Sequence, residues 1–171
     1  MSETENKLIG LTGNIACGKS SVAKFLRALG AVVIDADQVA RDVTAPGTPG
    51  FESLKKTFGD EILASDGSVD RAKLRGIAFA DSLDAKKNRK KLESILHPLI
   101  TAESLERAMT AFENDKKIVI YEAPLLVETG RVKDLNGLIC VVCDPAIQLQ
   151  RLRKRDAISE TVAKQIMSAQ L

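Results

Sequence analysis

The first glycine-rich turn of the chain reads Gly13-Asn14-Ile15-Ala16-Cys17-Gly18-Lys19-Ser20. These eight residues fit the pattern G-x-x-x-x-G-K-[ST], a P-loop whose backbone N–H groups surround nucleotide phosphates. The largely apolar run before it, Leu8 to Thr12, is typical of a buried strand, and the residues after Lys19 are apolar at helical spacing. A strand, a glycine loop and a helix in that order turn the loop and the helix N-terminus toward a polyphosphate. The sequence therefore predicts nucleoside triphosphate binding. The alternative, an ordinary glycine-rich turn, would not require an apolar strand before it and an amphipathic helix after it.

Two side chains of this loop have roles that follow from the motif itself. Lys19 is expected to reach the β and γ phosphates, and the Ser20 hydroxyl is expected to ligate Mg²⁺. Nucleotide binding is predicted for the whole loop and the residue after it, namely Gly13, Asn14, Ile15, Ala16, Cys17, Gly18, Lys19, Ser20 and Ser21.

Length and composition exclude several classes of protein. The 171 residues suit one compact domain, and 44% hydrophobic with 28% charged residues is ordinary for a globular protein. The net charge of +2, from 25 Lys and Arg against 23 Asp and Glu, is too balanced to indicate nucleic-acid binding. The polar N-terminus and the absence of a long apolar run predict no secretory signal and no membrane span, hence a cytoplasmic protein.

Short apolar strands alternate with helices along the chain, which predicts a parallel sheet covered on both faces. The expected strands are residues 8–12, 31–34, 118–121 and 138–142. Ligands of such sheets bind beyond the carboxyl ends of the strands. Those ends carry the phosphate loop, Asp35, Asp37, Glu122, Pro124 and Asp144.

The remaining segments are predicted to be mainly helical. Asp70 is expected to cap a helix over residues 71–79, and Pro145 is expected to begin one that reaches Arg155. Within the helical stretch before the third strand, Pro98 is expected to begin a new helix because proline suits the first helical position.

The chain has three cysteines, an odd number. Cys140 and Cys143 fall in a strand-like run, where residues three apart face opposite sides, and we expect buried thiols rather than a redox pair. A single histidine makes a zinc site a poor alternative. Cys17 is expected to be partly exposed beside Lys19, which would favour its thiolate.

A phosphate loop by itself fits kinases, GTPases and ATPases alike. The guanine-reading motif N-K-x-D is absent from the sequence, and a motor or transporter ATPase would be larger. A carboxylate pair after the second strand, Asp35 and Asp37, and an arginine-rich helix near the end favour phosphoryl transfer to a small hydroxyl substrate.

Several stretches, taken together in this order, resemble the dephospho-CoA kinase family: residues 9–20, 34–41, 92–100, 124–128 and 151–156, followed by Gln165 and Gln170. The resemblance implies an α/β P-loop NTPase fold like that of the nucleoside monophosphate kinases, with three layers and a parallel sheet. It implies a core of roughly residues 7–45 and 116–171, a helical substrate-binding insertion of roughly 46–115 and a helical lid of roughly 145–160. The implied reaction moves the γ-phosphoryl group of ATP to the 3′-hydroxyl of dephospho-CoA, with Mg²⁺ as cofactor.

The resemblance also implies roles for individual residues on the donor side. Lys19 and Arg151 would act in catalysis, Arg155 would grip the nucleotide, and Asp35 would join Ser20 at Mg²⁺. The residues themselves leave alternatives open. Arg151 and Arg155 share a helix face but could pair with surface carboxylates, and Asp35 could be purely structural.

On the acceptor side the resemblance makes Asp37 the general base, or the group that orients the 3′-hydroxyl; the alternative is an N-cap for a helix starting near Val39. The other residues assigned to substrate binding are Thr12, Arg41, His97, Pro124 and Leu125. Arg41 could equally lie on a solvated helix face. The position of His97 before Pro98 favours a structural hydrogen-bonding role over catalysis.

The chain departs from the family pattern at several positions. Asn14 and Ala16 replace glycines, Cys17 replaces serine, and Ser21 replaces threonine. Glu122 stands where aspartate is common, which leaves its role at Mg²⁺ open. Family members continue with a further strand and helix. We therefore expect a chain that ended at Leu171 to be less stable than a longer form that includes them, and prone to associate. The expected oligomeric state is a monomer or a weak homo-oligomer. The alternatives are another small-molecule or nucleoside monophosphate kinase and a nucleotide-binding regulator without turnover.

Overall fold

Four parallel strands form one sheet in the part of the chain that the structure describes. The structure is a computed structural model that describes residues 5–79, 83–124, 126–168 and 170. The strands are β1 (Lys7–Thr12), β2 (Val32–Asp35), β3 (Ile118–Glu122) and β4 (Gly137–Cys140), in the order β2-β3-β1-β4. Every pairing is parallel, which confirms the α/β class with a parallel sheet.

The helices are α1 (Lys19–Ala28), α2 (Ala36–Asp42), α3 (Pro49–Phe58), α4 (Arg71–Phe79), α5 (Leu83–Glu113), α6 (Pro145–Asp156) and α7 (Glu160–Ser168). The chain divides into two compact units. We call residues 1–35 with 108–171 the sheet unit, and residues 36–107 the helical unit. Among the described helices, none is both long and apolar enough to cross a membrane.

The core of the sheet unit explains why its strands read as apolar runs. Leu11 of β1 and Ile120 of β3 are buried together with Ala23 of α1, and flanking apolar residues pack against them. Strands of a parallel sheet are covered on both faces, so nearly every position must be apolar. Because β1 lies between β3 and β4, the loop that follows β1 leaves the sheet at the middle of its carboxyl edge.

The helical unit has a separate core of Leu54, Phe58, Ile62 and Leu74. At the start of α4, the Asp70 carboxylate accepts hydrogen bonds from the N–H groups of the second and third helical residues, at 2.9 and 3.1 Å. These bonds satisfy two of the donors that every helix N-terminus leaves without partners, and they confirm the predicted cap.

The expectation that Pro98 begins a helix is wrong, because α5 continues through it from Leu83 to Glu113. An internal proline removes one hydrogen bond and crowds the preceding turn, at a cost of about 3 kcal/mol. Leu92, Ile95 and Leu96 of the preceding turns pack against the core of the helical unit. This packing offsets the cost of the internal proline. The spacing of apolar residues around Pro98 does not reveal such packing, because its partners lie on other helices.

Three smaller expectations are also corrected. The helix α2 begins at Ala36, so Asp37 lies in its first turn and the N-cap alternative is wrong. The strand β4 ends at Cys140, before the predicted end, and the Cys140 side chain is exposed because β4 lies at an edge of the described sheet. Cys17 is buried instead of partly exposed, and its Sγ atom lies close to Gly13 at the start of the phosphate loop.

Candidate active site

The loop between β1 and α1 has a backbone that requires glycine at both ends. Gly13 has φ +155° and Gly18 has φ +102°, a region that side chains rarely tolerate. A Cβ atom at Gly13 would also overlap the carbonyl oxygen of Val141 and come within 2.8 Å of Cys17 Sγ. The two invariant glycines of the motif are therefore required by conformation, and at Gly13 by space as well.

The helix α1 presents its first N–H groups directly after this loop. The Gly18 carbonyl accepts from the N–H groups of Ser21 and Val22, at 2.9 and 3.2 Å. The N–H groups of Lys19 and Ser20, the first two residues of the helix, have no acceptor within the helix. Such a helix N-terminus binds anions, and phosphate groups fit it.

The lysine of the motif forms a buried ion pair with Glu122. Lys19 Nζ lies 2.8 Å from Glu122 Oε1, and the Glu122 side chain is only 5% exposed. Arg27 Nη2 lies 3.8 Å from the other carboxylate oxygen. Glu122 ends β3, whose register places it beside Leu11 of β1 and Asp35 of β2. A buried carboxylate needs such compensation, because an unpaired buried charge costs several kcal/mol.

Thr12 and Pro124, two residues assigned to substrate binding, lie together at the carboxyl edge of the sheet. The buried Thr12 hydroxyl donates to the Pro124 carbonyl at 3.1 Å, and the Thr12 carbonyl accepts from Val141 N–H at 2.8 Å. Thr12 thus joins the ends of β1, β3 and β4. Leu125, the third such residue in this region, lies outside the described residues.

The two arginines predicted to act together on α6 have different surroundings. Arg151 Nη1 lies 3.5 Å from the Cys17 carbonyl oxygen, next to the phosphate loop. Arg155 makes two hydrogen bonds to Asp156, at 2.6 and 2.8 Å. This pair raises the pKa of Arg155 and lowers the pKa of Asp156. In this structure the loop contact belongs to Arg151, and Arg155 takes the surface pairing that was its alternative.

Two glutamines that the sequence left without a role contact the loop at Ile15. Gln148 Nε2 of α6 donates to the Ile15 carbonyl at 2.7 Å, and Gln170 Oε1 accepts from the Ile15 N–H at 2.7 Å. Gln170 stood among the residues that carry the family resemblance. Gln148 had no signal, because 133 positions separate it from Ile15.

The residues assigned to Mg²⁺ fit an ion that takes few protein ligands. Ser20 is exposed in the first turn of α1, and Asp35 ends β2 beside Glu122. Within the described part of the chain, no three His, Cys, Asp or Glu side chains group as a metal site. Mg²⁺ bound with a nucleotide takes one or two protein oxygens and completes its shell with phosphates and water.

The helical unit carries the other assigned residues. Asp37 and Arg41 are exposed on α2, and His97 is exposed on α5. Sequence reasoning missed Arg71, which follows the cap residue Asp70 at the start of α4. Its Nη2 donates to the Ala40 carbonyl and the Thr44 hydroxyl, at 2.9 and 3.0 Å.

The charges around Arg71 are mainly positive. Its pKa is lowered, first by partial burial and then by the nearby charge of Arg41, against an opposing effect of Asp37, while Arg75 adds the smallest lowering effect. Arg41 and Arg75 are positive and Asp37 is negative, so positive charge exceeds negative charge around Arg71. An anionic group of a substrate would reduce the mutual repulsion of the arginines.

A second ion-pair network in the helical unit joins α2 to α5. Arg107 donates to Asp42 at 2.8 Å and to Glu103 at 2.7 Å. The Arg107 hydrogen bond, followed by one from Gln38, lowers the pKa of Asp42, and the two carboxylates raise the pKa of Arg107. The pair Asp42 and Arg107 is about one-third exposed, so its environment is far wetter than that of Lys19 and Glu122.

Comparisons with known proteins assign the chain to a family of kinases, in agreement with the phosphate loop described above. The family model described as dephospho-CoA kinase matches residues 7–171. A dephospho-CoA kinase domain-containing protein of Danio rerio is 45% identical, covering 96% of this chain and 70% of that protein. The dephospho-CoA kinase of Geobacter metallireducens is 44% identical, covering 96% and 80% respectively.

Solved structures share the fold. A crystal structure from Thermus thermophilus superposes with a TM-score of 0.82 at 29% identity, covering 98% of this chain and 81% of that one. The dephospho-CoA kinase from Campylobacter jejuni superposes with a TM-score of 0.65 at 28% identity, covering 95% and 79%.

Proposed function

The chain belongs to the dephospho-CoA kinase family, and we propose that it transfers the γ-phosphoryl group of ATP to the 3′-hydroxyl of dephospho-CoA, giving CoA and ADP. The observation that carries the proposal is the phosphate loop, with Lys19 held by Glu122 and Arg151 beside the loop carbonyl of Cys17. Phosphoryl transfer depends mainly on positioning and on neutralising charge, and this arrangement supports both.

On the donor side, the loop N–H groups and Lys19 bind the phosphates of ATP. The Lys19 ammonium has three N–H donors, so it can keep its bond to Glu122 while it donates to phosphate oxygens. Ser20 and Asp35 would hold Mg²⁺, which neutralises phosphate charge when bound. Arg151 neutralises charge that builds up on the transferred group, and Arg155 adds a second contact once it leaves Asp156.

On the acceptor side, Asp37 accepts the proton of the 3′-hydroxyl as its oxygen attacks the γ-phosphorus. The bond from the γ-phosphorus to the bridging oxygen breaks, and ADP leaves with that oxygen. Five further residues are assigned to contacts with dephospho-CoA, namely Arg41, His97, Thr12, Pro124 and Leu125. Support for Asp37 comes from its position in the sequence, two residues after the end of β2, since the residues that follow the strands of α/β sheets commonly bind ligands.

The rest of the assignment follows the family pattern. The core of roughly residues 7–45 and 116–171 binds ATP, the region of roughly 46–115 binds dephospho-CoA, and the segment of roughly 145–160 is the lid. The enzyme works in the cytoplasm on small-molecule substrates, without nucleic acid or membrane, as a monomer or weak homo-oligomer.

The test measures ADP release from MgATP by a coupled assay, with and without dephospho-CoA. We expect ADP release to depend on dephospho-CoA, and the product to be CoA by mass. A Lys19→Met variant prepared in the same way controls for contaminating kinases and should show no turnover. Equal or faster turnover with AMP, CMP or shikimate would show that the chain is another small-molecule kinase of this fold.

A further inference from the structure

We propose that Gln148 and Gln170 are positioning residues that hold the Ile15 peptides of the phosphate loop in the conformation that binds ATP. The inference rests on the proposed function only in taking ATP as the nucleotide. It assigns a role to two side chains that the phosphoryl-transfer mechanism does not use.

The two glutamines hold Ile15 from both sides of its backbone. Gln148 donates to its carbonyl and Gln170 accepts from its N–H, each at 2.7 Å, which is short for a bond between amides. The Gln148 side chain is buried, and its helix is anchored just before it, where Asp144 Oδ1 accepts from Ala146 N–H at 2.8 Å. Gln148 therefore projects from a fixed helix start.

Planarity of the peptide bond turns these two contacts into an orientation of the loop. In a trans peptide the carbonyl and the following N–H point in opposite directions. A Gln148 donor on the Ile15 carbonyl therefore directs the Ala16 N–H away from Gln148. A Gln170 acceptor on the Ile15 N–H directs the Asn14 carbonyl the other way, and this carbonyl accepts the Cys17 N–H at 3.2 Å.

The loop needs such support because its backbone is strained at Ala16, the residue after Ile15. Ala16 has φ +58°, which places a non-glycine residue in the left-handed region. A loop that relaxed without nucleotide would have to recover this conformation on binding, which weakens affinity. The two hydrogen bonds from Gln148 and Gln170 hold the loop in its nucleotide-binding conformation before the nucleotide arrives.

The two positions require opposite hydrogen-bonding groups, which makes a sharp test possible. Gln148 must donate and Gln170 must accept. Replacing either by methionine removes the bond at nearly constant size. Replacing either by glutamate adds the same charge, but Gln170→Glu keeps the acceptor whereas Gln148→Glu loses the donor and turns a carboxylate toward a carbonyl oxygen.

The measurement is the dissociation constant of MgADP and MgATP by titration calorimetry, in the absence of acceptor, together with the melting temperature of each variant. We expect Gln148→Met and Gln170→Met each to weaken nucleotide binding about 3- to 10-fold, the worth of one hydrogen bond. Gln148→Glu should be at least as weak as Gln148→Met, whereas Gln170→Glu should bind more tightly than Gln148→Glu. Gln165→Met on α7, which is exposed and lies outside the proposed lid, is the matched control and should bind as the wild type does.

Nucleotide affinities of Gln148→Met and Gln170→Met within twofold of the Gln165→Met control would overturn the proposal, even if the melting temperatures fall. Equal binding by Gln148→Glu and Gln170→Glu would also contradict it. If Gln148→Met does not fold, the Gln170 variants decide alone, because Gln170 follows the last helix. A chain that binds MgATP as predicted but does not phosphorylate dephospho-CoA would refute the proposed function and leave this inference standing.

Discussion

The ion pair of the sheet unit and that of the helical unit use the same chemistry in different surroundings. Glu122 is almost fully buried where it meets Lys19, whereas Asp42 and Arg107 both remain about one-third exposed. Breaking a buried pair leaves an uncompensated charge, but breaking a partly exposed pair exchanges it for water. The first pair lies at the phosphate loop and the second joins two helices. Substitutions at the first should change function, and substitutions at the second should change only stability.

The largest expected effect tests whether function resides only in the sheet unit. Asp37→Asn, in the helical unit, should lower kcat by about 10²- to 10⁴-fold, as expected for a lost general base, and leave the dissociation constant of MgATP unchanged. Lys19→Ala should weaken MgATP binding and also lower kcat, because the phosphates lose a cation. Steady-state kinetics with calorimetry separates the two. Turnover of Asp37→Asn near the wild-type rate would remove the catalytic role of Asp37.

A pair of glycines, one in each unit, should show an intermediate effect. A Cβ atom at Gly50 would overlap the Val43 carbonyl oxygen and meet Leu99 Cδ1 at 2.9 Å. Gly50→Ala should therefore destabilise the protein by about 1–3 kcal/mol without changing nucleotide affinity per folded molecule. Gly13→Ala should weaken MgATP binding strongly, because it distorts the loop itself. The measurements are urea denaturation and calorimetry.

Gly76→Ala is the matched control for this pair. Gly76 lies inside α4 with open space where a Cβ atom would stand. Alanine there should stabilise the protein by roughly 0.5–1 kcal/mol, since glycine is a poor helix former. Gly50→Ala at wild-type stability would show that the approach of α3 to Val43 relaxes freely.

The smallest effect concerns the partly exposed pair and its pH dependence. The pKa of Asp42 is lowered by Arg107, so the carboxylate stabilises the folded state above its ordinary pKa of about 4. That contribution is lost as the pH falls below 4 and through the lowered pKa. Asp42→Asn should be less stable than wild type at pH 7 by at most about 1 kcal/mol. The difference should shrink toward pH 3 in urea denaturation, and a constant difference would mean that the charge of Asp42 is not its cause.

The phosphate loop shows what could be predicted from neighbouring residues. The strand before it, the helix after it and the positive φ angles of Gly13 and Gly18 agree with the motif, because these residues are contiguous in the sequence. The same holds for Asp70 and Pro145, whose helices begin where predicted. The prediction that Pro98 begins a helix was wrong because the packing that stabilises α5 on either side of Pro98 involves residues of other helices.

The amino-acid sequence alone determined the fold class, the family and the nucleotide loop, because strand and helix periods and the loop motif are local. Only the tertiary structure decided that Glu122 holds Lys19, that Arg71 donates to the Ala40 carbonyl, and that Gln148 and Gln170 hold Ile15. The residues of these contacts are 31 to 155 positions apart, with 103 between Lys19 and Glu122 and 155 between Ile15 and Gln170. Strand order and helix packing decide which distant side chains come into contact. Neighbouring residues in the sequence carry no signal for either.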